Sequence, residues 1–302
     1  MAEPRSRVPQ TMMMFVITCL AAVTAGTTGA EQEFERIAVI GASASAGFGV
    51  VERITDSDGN ESVEGVGIGD LLLAAGDDLV VLDLSSGGFF MRPLALGGSC
   101  VERVEAWSPD LVIAIDFLFW FVYGPGGGAD SEAAGTPDPR LLRLEEGLEL
   151  LSKLETPIVV GEIPDMSGAI GGMLRRAQVP EKATMLAANR RIREWAESRP
   201  RTAVVPLFEL NERLASGEAF TVGGTTWDPA TEAFELILPD RLHPTLEGLV
   251  ALLQSAVFEA DRIPGMGEHM PELETDRLTL TNRIRRPRGP AEREPAATSA
   301  GP

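Results

Sequence analysis

Metal and redox chemistry have little to work with in this chain. It has two cysteines, Cys19 and Cys100, and two histidines, His243 and His269, too few for a zinc or iron constellation. The G-x-x-x-x-G-K-[ST] pattern that cradles nucleotide phosphates is absent. Positive charge is scarce. The 26 Lys and Arg stand against 45 Asp and Glu, a formal net charge of −19. Nucleic acid is excluded as a partner, because nothing over the main body offsets phosphate repulsion. The acidic balance speaks for solubility rather than for a particular substrate. Long apolar runs are missing as well. Met12 to Val23 is the nearest to one, and it is too short and too interrupted for a stable membrane span. There is no internal repeat.

The N-terminus carries an address. Arg5 and Arg7 precede the apolar run, and Thr28-Gly29-Ala30 offers small residues before Glu31. Residues 1–30 therefore read as an export signal, and the mature protein as secreted or periplasmic. The alternative is an uncleaved N-terminal membrane anchor. Removal of the segment takes Cys19 with it and leaves Cys100 without an intramolecular disulfide partner.

From residue 36 onward, short apolar runs alternate with helical patterns. The strand candidates are Ile37 to Ile40, Leu79 to Leu84, Leu111 to Ile115, Pro157 to Val160 and Ala203 to Pro206. Each is almost continuously apolar, as a strand covered on both faces should be. Helical patterns lie near Ile68 to Ala75, Cys100 to Trp107, Leu141 to Leu154 and Glu181 to Glu197, with Ser99 as an N-cap for the second. The βα alternation predicts a parallel sheet with helices on both sides. Thr55 to Gly65 reads as a polar surface loop, and its Asn60-Glu61-Ser62 matches a glycosylation sequon. Gly124 to Pro139 reads as a mobile loop. The domain is expected over residues 31–262. Residues 263–302 read as an extended, disordered tail, of which 277–302 holds six Arg and two Glu.

Chemistry concentrates in two stretches. After the first strand comes Gly41-Ala42-Ser43-Ala44-Ser45-Ala46-Gly47-Phe48-Gly49, where small neighbours leave the Ser43 hydroxyl unscreened at the strand's carboxyl end. That is the end where open α/β sheets place their sites. A serine needs a base to act as nucleophile. His243 supplies one, held at the mouth of a helix whose buried stripe is Leu246, Leu249, Val250, Leu253 and Val257. Asp240, three residues before it, can reach the far imidazole nitrogen and fix the tautomer. His269, in a loose acidic segment, reads as merely exposed.

These stretches resemble the first and last blocks of the SGNH (GDSL) hydrolase family, over about Arg36 to Ala260. The last block is Asp240-x-x-His243-Pro244 with Gly248, and in the first, Ala42 replaces the family's usual Asp. The G-x-S-x-G elbow fits less well, since Ser45 stands at its second Gly. The resemblance implies a three-layer α/β/α fold with a five-stranded, flavodoxin-like parallel sheet. It also implies a serine esterase or acylhydrolase that needs no cofactor or metal and acts on a small-molecule, glycan or lipid ester. Ser43 would be the nucleophile, His243 the base and Asp240 its orienting acid. The second block implies an oxyanion glycine, here Gly87 or Gly88 in Ser85-Ser86-Gly87-Gly88. The third block, G-x-N-D, is missing; Asp116-Phe117-Leu118-Phe119-Trp120-Phe121-Val122-Tyr123 stands there with no asparagine. Trp120 and Tyr123 are the substitute donors or pocket walls nearest that position. Glu162 and Asp165 follow the fourth strand on the same sheet edge. Two other readings compete: an acyltransferase with the same triad, and a binding protein that kept the fold without the activity.

Overall fold

The structure, a computed structural model, describes residues 34–55, 61–124, 138–229, 236–267 and 270–284. The export-signal segment, Asn60, residues 125–137 of the glycine-rich loop, His269 and residues 285–302 lie outside the described residues.

The chain opens with β1 (Arg36–Val39), β2 (Val51–Thr55), β3 (Glu61–Gly65), α1 (Ile68–Ala75) and β4 (Val80–Asp83). It continues through α2 (Pro93–Trp107), β5 (Leu111–Ala114), α3 (Phe119–Val122), α4 (Pro139–Leu151) and β6 (Ile158–Gly161). Then come α5 (Lys182–Glu197), β7 (Thr202–Val205), α6 (Leu207–Ser216), β8 (Phe220–Val222), β9 (Thr225–Trp227), α7 (Leu246–Asp261) and α8 (Arg277–Ile284).

Five strands form one parallel sheet in the order β4-β1-β5-β6-β7. The strands alternate sides as an extended chain must. Ile37 and Val39 pack into one apolar layer, Ala38 and Ile40 into the other. The first layer holds Leu71 and Leu72 of α1, Leu249 and Leu253 of α7, and Leu280 and Ile284 of α8. The second holds Val101 and Val104 of α2, Leu144 and Leu148 of α4, and Ala188 and Ile192 of α5. This is the expected three-layer α/β/α sandwich with its five-stranded parallel sheet. The strand order reverses between β1 and β5, so the loops leaving their carboxyl ends face a common crevice.

Several local expectations change. Helix α2 starts at Pro93, whose fixed φ and missing N–H suit the first helical position, so Ser99 lies inside the helix and caps nothing. The polar Thr55 to Gly65 stretch ends in β3, which pairs antiparallel with β2 as a hairpin. The tail is not extended throughout: residues 277–284 form α8, and Leu280 and Ile284 are fully buried. Arg283 Nη1 donates to Ala74 O at 3.0 Å, and Gln254 Nε2 to Thr275 O at 2.7 Å, tying this segment to α1 and α7.

Candidate active site

The Ser43 turn is fixed from a neighbouring strand. Asp116, just beyond β5, points its carboxylate under the turn that follows β1. Oδ1 accepts from Ala42 N at 2.9 Å and from Ser45 Oγ at 2.6 Å. Oδ2 accepts from Ala44 N at 2.9 Å and Ser45 N at 3.1 Å. Ser43 alone in this run is passed over, and its N–H has no acceptor among the described residues. The approach requires Gly41, where a Cβ would stand 2.1 Å from Asp116 Oδ1. Ser45, which breaks the G-x-S-x-G pattern, is therefore part of the clamp.

The second stretch is equally constrained. Leu238 N donates to His243 O at 2.8 Å, and Ile237 bridges to Pro244, which brings the loop back on itself before α7. Thr245 caps α7 by accepting from Gly248 N. Gly248 is required there, because a Cβ would meet Leu236 O at 2.1 Å. Within the loop, Arg241 takes a left-handed φ of 57°. The tight turn lets Asp240 Oδ1 accept from both Leu242 N at 2.9 Å and His243 N at 3.0 Å.

These elements bring three side chains into line. Asp240 Oδ2 lies 2.7 Å from His243 Nδ1, and His243 Nε2 lies 2.9 Å from Ser43 Oγ. An ionised carboxylate can only accept, so Nδ1 carries the proton and Nε2 presents its lone pair to the serine hydroxyl. Burial pushes the Asp240 carboxyl up, but the hydrogen bonds from the His243 backbone and ring and from Leu242 N–H outweigh it and hold it below its ordinary range. The imidazole is 4% exposed. Phe48 covers it, ring centroids 4.5 Å apart, and is itself 47% exposed.

The oxyanion candidates separate. Gly88 N–H is engaged by Ser86 Oγ at 3.1 Å. Gly87 N–H has no acceptor among the described residues, and a Cβ at Gly87 would lie 3.8 Å from Phe48 Cδ2. Tyr123 is withdrawn from the site. Its hydroxyl donates to Pro164 O and accepts from Met166 N, both at 2.8 Å, and the ring is fully buried against Phe119. The expectation of Tyr123 as donor or pocket wall is therefore corrected: it ties the β6 loop to α3. Trp120 does line the cleft beside Ser43, together with Phe119.

Glu162 reaches the cleft wall, where it pairs with Arg193 and accepts from Phe208 N at 3.3 Å. Burial raises its carboxyl despite Arg193. Asp165 turns away from the cleft and caps Ser167 N at 2.9 Å. Cys100 is buried beside the end of β4, and burial pushes its thiol up to about 11, which keeps it protonated near neutral pH. Among the described residues, no group of three or more His, Cys, Asp or Glu is placed to hold a metal, and no helix is long and apolar enough to cross a membrane. Sequence reasoning missed Asp116 as the clamp. It also missed α6 as a cleft wall, although the Leu207, Leu210 and Leu214 spacing carried the signal.

No protein-family model and no curated protein sequence matches the chain. Among solved structures the chain is similar to Axe2, an acetylxylan esterase from Geobacillus stearothermophilus. That match has 20% identity and a TM-score of 0.43, over 76% of this chain and 94% of that one. A second is LAE5, an alpha/beta hydrolase enzyme from the metagenome of Lake Arreo, at 16% identity and TM-score 0.45, over 74% and 96% of the two chains. A third is BT4096, a gut microbial diltiazem-metabolizing enzyme, at 13% identity and TM-score 0.42, covering 76% of this chain and 47% of that one.

Proposed function

We propose that this protein is a serine hydrolase that cleaves an acyl ester. The observation that carries the reading is the run of short contacts from Asp240 through His243 to Ser43, at 2.7 and 2.9 Å. Ser43 Oγ attacks the ester carbonyl as its proton passes to His243 Nε2. The new Oγ–C bond forms while the carbonyl π pair moves to oxygen. The tetrahedral intermediate collapses, the ester C–O bond breaks, and the imidazolium returns the proton to the departing alkoxide. Asp240 stabilises the imidazolium throughout. Water then attacks the acyl-enzyme by the same route, and the acid leaves with Ser43 restored. The N–H groups of Ser43 and Gly87 are the candidates to receive the oxyanion, since both lack an internal acceptor among the described residues. With residues 1–30 acting as an export signal, the enzyme works outside the cytoplasm on a small-molecule, glycan or lipid ester, and mass measurement of the native product is expected to give an N-terminus near Glu31.

Fluorophosphonate labelling tests the hydrolase reading. The protein should label at Ser43 and hydrolyse nitrophenyl acetate. Ser43→Ala should lose both while its thermal unfolding is preserved. Unchanged turnover in that variant removes the triad, and a correctly folded protein that neither labels nor turns over favours the binding-protein reading.

A further inference from the structure

The cleft beside Ser43 is chemically lopsided. It runs from Ser43 and His243 toward α6, β8 and α7, and holds a cavity of about 140 Å³. Along that run its walls are Leu207, Leu210, Leu214, Phe220, Ala251 and Leu252. Beyond the Trp120 indole beside Ser43, four further polar side chains reach the walls, and each already has a partner in the fold. The Asp116 carboxylate takes four hydrogen bonds from the Ser43 turn. Asn211 Nδ2 donates to Asp165 O at 2.7 Å, and Ser255 Oγ to Ala251 O at 2.7 Å. Glu162 pairs with Arg193 and Phe208 N. A sugar hydroxyl placed among the six apolar walls would leave water without a comparable replacement. A methylene chain would gain by the same move.

We propose that this cleft is a site for a linear hydrocarbon chain, and that the preferred ester is one whose acyl or alkyl chain is well beyond acetyl in length. The assignment of that chain to an ester rests on the hydrolase reading above; the cleft itself does not. Two substrate series test it, nitrophenyl esters from acetate to dodecanoate and alkyl acetates from ethyl to octyl. In one series kcat/KM should climb by up to about fourfold per added methylene until the cleft is filled. The acyl series climbing seats the acid chain there, and the alkyl series climbing seats the alcohol chain. Rates that are flat or fall in both series, with Ser43 labelled, overturn the proposal and leave the hydrolase standing. Ala251→Phe narrows the cleft and should lower the octanoate-to-acetate rate ratio at least tenfold; an unchanged ratio counts against the proposal. Calorimetry on Ser43→Ala keeps the test independent of turnover. Octanoate should bind at least a hundredfold more tightly than acetate. Equal binding overturns the chain site. Tight octanoate binding by a wild-type protein that neither labels nor cleaves any ester keeps the chain site and removes the hydrolase.

Discussion

Asp116 holds the turn on which Ser43 stands, and it does so from the end of β5, 71 to 74 residues away in sequence. Its two oxygens satisfy the N–H groups of Ala42, Ala44 and Ser45, so the Ser43 N–H is the one left without an acceptor among the described residues. In Asp116→Asn one acceptor becomes an NH2 group facing those donors. Each N–H left without a partner in that buried site costs about 1–3 kcal/mol. The unfolding temperature should fall, and under the proposed hydrolase reading kcat should fall more than KM rises, because Ser43 is misplaced rather than the substrate lost. A change confined to stability, with turnover per folded molecule preserved, would make Asp116 a scaffold residue only. Trp120 poses the opposite question, since it lines the cleft but its indole N–H has no acceptor among the described residues. If that N–H serves the oxyanion, Trp120→Phe should cost on the order of a hundredfold in kcat with little effect on KM. If Trp120 is wall alone, the loss should appear in KM and chain-length preference. Ser43, Asp240 and His243 were legible in the sequence because each sits in a short run of tightly restricted neighbours. Asp116 was not legible, because its meaning depends on the β1–β5 pairing, and what the sequence displays there is only a missing asparagine.

At the scale of elements, legibility followed burial. The five central strands announce themselves because both faces are covered, so their apolar runs are unbroken. The β2–β3 hairpin is exposed along most of β3 and carries no such run. Helix α6 was passed over because only Leu207 and Phe208 are deeply buried, while Leu210 and Leu214 open onto the cleft instead of the core. Helix α8 hides for a related reason. Its eight residues place just Leu280 and Ile284 against the sheet's first layer, amid Arg, Thr and Asn, in a stretch whose composition reads as tail. Those two side chains nevertheless close the layer against α1 and α7. Leu280→Ala should therefore destabilise the protein by about 2–5 kcal/mol, as for other buried leucines. Turnover per folded molecule should hold, since α8 supplies no residue of the cleft. Unfolding that is unaltered by Leu280→Ala would show that the segment does not cover the core in solution.

Charge is a property of the whole molecule, and it sets an expectation for stability across pH. At −19 the chain repels itself at neutral pH, with a sequence pI near 4.5. Acidification from pH 8 toward 5 removes part of that repulsion, so the unfolding temperature should climb. A second term acts in the opposite direction below that range. The Asp240 carboxyl is held below its ordinary value in the folded state by the hydrogen bonds of the His243 turn. A depressed folded-state value means that ionised Asp240 favours folding above its unfolded-state pKa, about 3.9. That contribution is lost as pH falls below about 4 and the folded-state group takes up its proton. The two terms predict a stability maximum near pH 5. Salt separates them, because general repulsion is screened within about 8 Å at 0.15 M while hydrogen bonds in direct contact are not. Thermal unfolding from pH 3 to 8 at about 0.01 M and 0.15 M salt provides the measurement. Added salt should flatten the rise between pH 8 and 5 and leave the fall below pH 4 in place. Asp240→Asn should reduce that acid fall without altering the limb at higher pH. A profile whose upper limb ignores salt would mean that the net charge is not what limits the fold near neutrality. An acid limb unchanged in Asp240→Asn would assign that loss to other carboxylates.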